Sequence, residues 1–289
     1  MRKHGRVGND FQAAYLPLPL RSVMTDGCME RGRDCWDDGA DYTADLMINV
    51  GTVDAANSLL AVKHLVFDEK KLTMEQLKEA VAANFEGYED IQKMCLDAPK
   101  HGNDIKEVNQ FVRKCYDVVW ESYYKAGRNY CGKLGKPEAY SNSLHNLFGA
   151  VMGALPNGRP AYRALTDGSV SATPGTDHEG PTALINSAAF ALDTVKFNSN
   201  HFNVKFNPSA VETPRGVRNL LSLVKSYMDQ GGSHIQFNIV SSKTLRNAQL
   251  QPEKYKDLVV RVAGFSAYFT RLDPGIQDEI IKRTELTFK

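Results

Sequence analysis

The chain carries the sequence DLVVRVAGFSAYF at residues 257–269, and this stretch decides how its C-terminal part folds. Strand-forming residues from Leu258 to Val262 run directly into Gly264, and aromatic residues follow at once. A glycine at the end of such a run usually marks a tight turn or a close approach of the backbone to another group. The pattern therefore predicts a strand that turns at Gly264.

The segment from Arg261 to Phe269 also resembles the signature of the glycyl radical enzymes. In that family this glycine loses a Cα hydrogen and stores an unpaired electron on its backbone. Only glycine suits this chemistry, because the Cα radical becomes planar and is delocalised between the adjoining amide nitrogen and carbonyl. A side chain would clash as the centre flattens. The alternative is an ordinary strand–turn glycine at position 264.

Further segments are similar to the same family, in the family's order, from about Leu18 to Phe288. They are Pro156–Pro160, Leu165–Ser171, Gly175–Ala183, Lys205–Pro208, His234–Asn238, Gln251–Tyr255 and Asp273–Glu285. Several ordered motifs arise by chance far less readily than one short signature, so the chain is identified as a member of the family. The resemblance implies an α/β fold, the later part of a ten-stranded β/α barrel with a C-terminal glycyl radical loop and helix. It also implies a helix-rich barrel region at residues 1–155 and a glycine radical domain at residues 156–289.

Local patterns predict the elements of these two regions. Apolar residues recur at helical spacing over residues 49–67 and 105–125, and Thr73 with Gln76 predicts a capping box for a helix from Met74 to Asn84. No firm periodicity marks residues 1–16, and the chain from Pro17 to Asp45 is predicted to be rich in loops. The second region alternates in the manner of β/α units. Its predicted elements are strands at Ala183–Ile185, His201–Asn207, His234–Val240 and Val259–Ala263, and helices at Thr213–Met228 and from about Gly275.

Composition narrows the class of protein. The chain has 289 residues, a hydrophobic content of 42%, a charged content of 24% and a net charge of +1. These values are typical of a soluble globular protein and favour neither nucleic acid nor an anionic membrane as a partner. No transmembrane run or signal peptide is recognisable, so we expect a cytoplasmic protein. The five cysteines lack metal-type spacing, which predicts reduced thiols and no zinc or iron–sulfur site.

The family's stored radical does not attack substrate directly. It takes a hydrogen atom from a cysteine on an opposing loop, and the resulting thiyl radical attacks the substrate. In the lyase branch that cysteine belongs to a Gly-Cys-x-Glu-Pro type motif, which Gly27-Cys28-Met29-Glu30 nearly matches. Arg31 replaces the proline, however, and the context is more similar to a family segment that follows the thiyl loop. We therefore expect the thiyl loop to lie outside this chain, with Cys28 as the candidate within it.

Two polar groups have open alternatives. Glu30 is either an acid or base in the substrate site, as a second glutamate is in some decarboxylating members, or a surface residue paired with Arg31 or Arg33. Arg261 either organises the glycyl loop together with Phe265 and Ser266, or forms a surface ion pair.

The remaining candidates have structural explanations. We expect His64 to be a packed or half-exposed helical histidine, and His201 and His234 to form structural hydrogen bonds where strands begin. The glycines at 175 and 180 suggest a phosphate loop, but no Lys-Ser/Thr motif follows, so we reject a nucleotide site.

The resemblance implies an anaerobic glycyl radical lyase that dehydrates or decarboxylates a small organic substrate. Residues 49–57 and 201–207 resemble the arylacetate decarboxylases more than the diol dehydratases. No bound cofactor is expected, because a radical S-adenosylmethionine activating enzyme installs the radical. Partners would be that enzyme and the N-terminal half of the lyase, which the chain is expected to lack. The alternatives are a non-catalytic radical-bearing subunit that docks onto a separate glycyl radical enzyme, and a truncated product without function.

Overall fold

The structure is a computed structural model that describes residues 10–42, 47–125 and 136–288. The chain forms two compact units, one from residues 1–47 and 118–138 and the other from residues 48–117 and 139–289. We call them the first and the second unit. The expected division between residues 155 and 156 concerns family domains rather than these units, and it stays a prediction.

Helices and strands alternate over much of the described chain. The helices are α1 (Pro19–Val23), α2 (Cys28–Arg31), α3 (Thr52–Val62), α4 (Met74–Ala82), α5 (Glu89–Asp97), α6 (Lys106–Lys125), α7 (Leu144–Gly149), α8 (Gly180–Ala191), α9 (Pro214–Asp229), α10 (Ser242–Leu250) and α11 (Pro274–Lys282). The strands are β1 (Met47–Ile48), β2 (Pro137–Glu138), β3 (Asn203–Phe206), β4 (Gln236–Ile239), β5 (Val259–Arg261), β6 (Ser266–Tyr268) and β7 (Glu285–Leu286). Among these helices none is long and apolar enough to cross a bilayer.

Side chains cap the starts of α4 and α9, and the first of these caps was predicted. The Thr73 side chain accepts a hydrogen bond from the Gln76 backbone, and the Gln76 side chain accepts one from the Thr73 backbone, so the capping box of α4 is confirmed. Thr213 caps α9 by accepting from the backbone N–H of Gly216. These side chains satisfy backbone donors that the first turn of a helix leaves without partners.

One sequence-based prediction of an element is wrong. Ala183–Ile185 does not form a strand but lies inside α8, which begins at Gly180 and has Pro181 in its first turn. Proline is preorganised for that position, and the short apolar run is the buried face of a helix rather than a buried strand. Residues 10–15 are helical although no periodicity predicted them, and the segment expected to be rich in loops contains only the short helices α1 and α2 among its described residues.

A three-stranded parallel sheet with the order β4-β3-β7 organises the second unit. All four residues of β3 are buried, as in parallel sheets covered on both faces. One of them is Lys205, whose Nζ donates to the carbonyl oxygens of Ile281 at 2.8 Å and Ile280 at 3.3 Å. These are the last carbonyls of α11, so the ammonium group fixes the C-terminal end of that helix to the sheet. Burial lowers the pKa of Lys205 to about 8.

β5 and β6 form an antiparallel hairpin that pairs Arg261 with Ser266. Its inward side chains join an apolar cluster with α10 and α11. The buried members of this cluster are Val240, Leu245, Ala248, Val260, Val262, Phe269, Ile280 and Ile281. This apolar packing holds the base of the β5–β6 hairpin in place and thereby positions the hairpin tip.

Candidate functional site

Gly264 lies at the tip of the β5–β6 hairpin. Its φ is +83°, in the left-handed region that glycine adopts without strain, and the residue is exposed. The N–H of Val262 donates to the carbonyl of Phe265 at 2.9 Å and closes the turn. The predicted turn at Gly264 is therefore present, while the two preceding residues, Val262 and Ala263, are fully buried.

Both peptide groups that flank the Gly264 Cα are held by side chains. The Gly264 N–H donates to Gln236 Oε1 at 3.3 Å, and the Gly264 carbonyl accepts from Arg261 Nη2 at 3.4 Å. Arg261 also donates through Nε to Gln236 Oε1 at 2.7 Å and through Nη1 to Ser266 Oγ at 3.1 Å. The fixed fork of the guanidinium group thus spans the hairpin turn. These contacts are hydrogen bonds within the loop and its neighbouring strand, not a surface ion pair.

The ring of His201 lies against one side of Gly264. A Cβ placed on Gly264 would lie 2.5 Å from His201 Cε1 and 3.0 Å from His201 Nε2. The His201 ring lies 4.9 Å from the ring of Tyr140 and 5.0 Å from that of His234, centre to centre. Burial, followed by His234 and Arg261, lowers the pKa of His201 to about 4. The imidazole beside Gly264 is therefore neutral at pH 7.

His201 and His234 differ in the hydrogen bonds of their side chains. His234 Nδ1 accepts from the backbone N–H of Phe202 at 3.4 Å, which is a structural bond of the expected kind. The Nδ1 atom of His201 is buried and finds no hydrogen-bond partner within residues 10–42, 47–125 and 136–288. Only the backbone of His201 is firmly held, by Ala139 and Ser169.

Arg283, Glu279 and Asp167 form a buried ionic network that contacts the β5–β6 hairpin. Arg283 donates to the carbonyl of Val262 at 2.9 Å, pairs with both oxygens of Glu279 at 2.8 and 2.9 Å, and lies 3.2 Å from Asp167. All three charged side chains are at most 7% exposed. Although burial opposes ionisation of Glu279, the Arg283 guanidinium lowers the pKa of that carboxyl to about 2. The network links α11 to the residue two positions before Gly264.

Phe265 is 41% exposed at the hairpin tip, beside Gly264. The sequence-predicted residues of the glycyl loop, Gly264, Arg261, Phe265 and Ser266, thus lie together on one hairpin.

Cys28 and Glu30 lie on α2 of the first unit. Cys28 is 2% exposed, and burial, then Cys35 and Asp34, raise the pKa of its thiol. Glu30 is exposed and forms no ion pair with any residue that the structure describes, while Arg31 pairs with Asp41 and Arg33 with Asp37. The expected surface pair of Glu30 with an adjacent arginine is therefore not seen.

His64 is half-buried in a π-helical turn at Lys63–Asp68, where it approaches Asp68 at 3.9 Å and Glu107 at 3.6 Å. These three groups have the spacing of metal ligands. The ammonium group of Lys63, however, lies 2.5 Å from Asp68 and 2.9 Å from Glu107. A cation of the chain itself therefore already pairs with both carboxylates.

Sequence reasoning missed Gln236, Asn203 and Asp167. Gln236 Nε2 donates to Asn203 Oδ1, and Asn203 Nδ2 donates to Asp167 Oδ2. The sequence of β4 contained a signal for Gln236. Gln236 and Asn238 alternate along the strand, so they share one face, and both are buried. Buried amides in a strand interior imply hydrogen-bond partners.

Comparison with known proteins identifies relatives over nearly the whole chain. The family model "Pyruvate formate lyase-like" matches residues 1–149, and the model "Glycine radical" matches residues 166–270. The chain is 40% identical to trans-4-hydroxy-L-proline dehydratase of Clostridioides difficile over 96% of its length and 35% of the relative's. Indoleacetate decarboxylase of Tractidigestivibacter scatoligenes is 38% identical over 99% of the chain and 35% of the relative.

A solved structure gives the same result in three dimensions. The glycerol-bound, B12-independent glycerol dehydratase of Clostridium butyricum superimposes with a TM-score of 0.92 at 42% identity, covering 97% of this chain and 35% of the dehydratase. The chain thus spans about a third of the length of the relatives it matches. The mixed α/β architecture is that of the corresponding part of such enzymes.

Proposed function

Since this chain belongs to the pyruvate formate lyase-like family of glycyl radical enzymes, we propose that it stores an unpaired electron on Gly264. It would thereby supply the radical-bearing portion of an anaerobic lyase built on a ten-stranded β/α barrel. One observation carries the proposal: Gly264 occupies a hairpin tip at φ +83°, with its N–H and its carbonyl both hydrogen-bonded. The tip is thus held in one backbone geometry.

The exposed tip suits installation of the radical by a second protein. A radical S-adenosylmethionine activating enzyme would remove one hydrogen atom from the Gly264 Cα, and that hydrogen atom would pass to the adenosyl radical of the activator. Arg261 and Ser266 would keep the turn in shape, with Phe265 beside it at the tip. We propose a cytoplasmic location.

An exposed radical also needs a cover, because water and oxygen destroy such species. Gly264 is open to solvent although His201 covers one side of it. In our proposal the cover is the remainder of the lyase, which would also provide the thiyl cysteine. The relatives are about three times as long as this chain, which supports that source.

The reaction we propose is dehydration or decarboxylation of a small organic substrate. The trans-4-hydroxy-L-proline dehydratase and the indoleacetate decarboxylase differ by two percentage points in identity to this chain. Both reaction types therefore stay open, with an arylacetate among the candidate substrates.

A second candidate is a radical-bearing subunit that docks onto a separate enzyme. An apolar stripe on α9 favours further protein contact, since Val217, Leu221 and Met228 recur on one face and are 45%, 63% and 41% exposed. Contiguous apolar surface of this kind marks protein interfaces. Turnover by the chain with activator alone would exclude the subunit proposal. Turnover only after a separate glycyl radical enzyme is added would support it.

Cys28 and Glu30 stay candidates for the thiyl and acid/base roles. Cys28→Ser, with Cys35→Ser as a neighbouring control, tests the first in a reconstituted lyase. If Cys28 is the thiyl residue, its variant alone abolishes turnover while leaving the stored radical intact. Equal turnover in both variants would remove Cys28 from the site. Glu30→Gln tests the second role in the same assay.

The radical itself is tested by electron paramagnetic resonance after anaerobic treatment with a matched activating enzyme. We expect a doublet from the single remaining α-hydrogen of Gly264. Growth on α-deuterated glycine should collapse the doublet, and Gly264→Ala should abolish it. A doublet that persists in Gly264→Ala would contradict the proposal.

A further inference from the structure

Gly264 stands at one end of a chain of four hydrogen-bonded groups. Its N–H donates to Gln236 Oε1, Gln236 Nε2 donates to Asn203 Oδ1, and Asn203 Nδ2 donates to Asp167 Oδ2. Every bond of this chain points the same way, from the glycine amide to the carboxyl group of Asp167. The three side chains are at most 7% exposed. Hydrogen bonds aligned in this manner polarise one another, most strongly where water is excluded.

The other side of the same glycine faces a cation. Arg261 Nη2 donates to the Gly264 carbonyl at 3.4 Å, and Arg261 Nε donates to Gln236 Oε1 at 2.7 Å. The second bond fixes the orientation of the Gln236 amide that receives the Gly264 N–H. The amide N–H on one side of the Cα thus faces an acceptor oxygen, and the carbonyl on the other side faces a cationic donor.

This arrangement has an electronic consequence if the Cα carries an unpaired electron. Such a radical is stabilised when the nitrogen gives electron density to it and the carbonyl withdraws density from it. A hydrogen bond accepted from the N–H makes the nitrogen a better donor, and a hydrogen bond given to the carbonyl makes it a better acceptor.

We infer that Gln236, backed by Asn203 and Asp167, and Arg261 are positioning residues that stabilise the Gly264 radical by polarising its two peptide groups in opposite directions. This inference rests on the proposed storage of the radical at Gly264. It adds a definite role for Gln236 and assigns Arg261 an electronic effect in addition to its support of the turn.

The chain offers a matched control in Asn238. Asn238 lies two positions from Gln236 on the same face of β4, is 5% exposed against 7% for Gln236, and also bonds to the hairpin. Its Nδ2 donates to the Arg261 carbonyl at 2.7 Å, and its Oδ1 accepts from the Arg261 N–H at 2.8 Å. It therefore holds the loop without contacting the peptide groups of Gly264.

The experiment compares Gln236→Met and Asn238→Leu with the wild-type chain after anaerobic activation. The measured quantities are the α-hydrogen splitting of the electron paramagnetic resonance doublet and the nitrogen coupling of ¹⁵N-labelled glycine. Loss of the Gln236 acceptor should return spin density to the Cα. We expect the α-hydrogen splitting to widen by on the order of a tenth in Gln236→Met, the scale on which one hydrogen bond polarises the next. The nitrogen coupling should fall, and Asn238→Leu should keep both wild-type values.

Arg261→Met provides a second variant, since its side chain is only half-buried and the substitution leaves no buried donor unpaired. It should also widen the doublet, because the carbonyl loses its cationic partner. Urea unfolding of all three variants shows whether each one is still folded, so that a changed splitting is not mistaken for loss of the fold. Wild-type splitting in both Gln236→Met and Arg261→Met, or equal widening in Asn238→Leu, would overturn the inference and leave the radical assignment intact. Absence of any doublet from the wild-type chain would instead overturn the proposed function.

Discussion

Replacement of Gly264 by alanine tests the geometry of the hairpin tip without any radical chemistry. The new methyl group would meet His201, whose Cε1 lies 2.5 Å and whose Nε2 lies 3.0 Å from the Cβ position. Contacts between carbon atoms are optimal at about 3.5–4.0 Å, so the ring or the hairpin must move. The residue would also have to adopt a φ of +83°.

Gly175→Ala serves as a control that separates the contact with His201 from the cost of the left-handed backbone. Gly175 is exposed, its φ is +81°, and a Cβ placed on it has no heavy atom within 4 Å. The left-handed backbone costs a residue with a side chain about 1–2 kcal/mol. Overpacking against His201 adds about 1–3 kcal/mol at Gly264 only. We therefore expect losses in the free energy of unfolding of about 2–5 kcal/mol for Gly264→Ala and about 1–2 kcal/mol for Gly175→Ala.

Urea unfolding of the unactivated chain, followed by far-ultraviolet circular dichroism, measures both losses. The smaller entropy of the unfolded alanine chain affects the two variants alike and cancels in the comparison. In a chain that already carries His201→Ala, Gly264→Ala should lower the free energy of unfolding only about as much as Gly175→Ala does. His201→Ala removes the atoms that the new methyl group would meet. Equal losses for the two glycine variants, or no recovery in the double variant, would refute the packing of His201 against Gly264.

Two further predictions concern the charges around the site. Because the pKa of His201 falls to about 4 in the folded chain, the unfolded chain binds the proton first as the pH drops, so folding stability declines between about pH 6.5 and pH 4. Urea titrations at several pH values measure this decline in the free energy of unfolding. In His201→Phe the decline should be smaller by about 2 kcal/mol. An unchanged pH profile would contradict the lowered pKa of His201. Arg283→Met removes the guanidinium that pairs with the buried carboxyl groups of Glu279 and Asp167, and it should cost about 3–5 kcal/mol of unfolding free energy. Lys256→Met breaks only an exposed pair and should cost less than about 1 kcal/mol, so similar losses in both would argue against the buried network.

Local sequence signals predicted much of the second unit. The capping box of Thr73 and Gln76 is visible in sequence because it acts on the backbone within three residues. The turn at Gly264 was equally local, since a strand-forming run ends there. Ala183–Ile185 was assigned to a strand because a short apolar run suits a buried strand and a buried helix equally well. The proline at 181 was the feature that distinguished them.

The hydrogen-bonding environment of Gly264 could not be predicted in the same way. Asp167, Asn203 and Gln236 come from three separate segments, and the parallel pairing of β3 with β4 brings the last two together. Nothing local in the sequence specifies that pairing. The contacts of the His201 ring with the rings of Tyr140 and His234 likewise depend on the sheet, although the sequence predicts each histidine at the start of a strand.

Exposure of the activated chain to oxygen tests most directly whether Gly264 stores the radical. Oxygen should attack the Gly264 Cα and cleave the backbone there, and intact-mass spectrometry locates the cut. Our account predicts a C-terminal fragment that begins at or near residue 264 and is absent in Gly264→Ala and in the chain never treated with activating enzyme. An unchanged intact mass after a confirmed doublet, or cleavage at another residue, would contradict the assignment of the radical to Gly264.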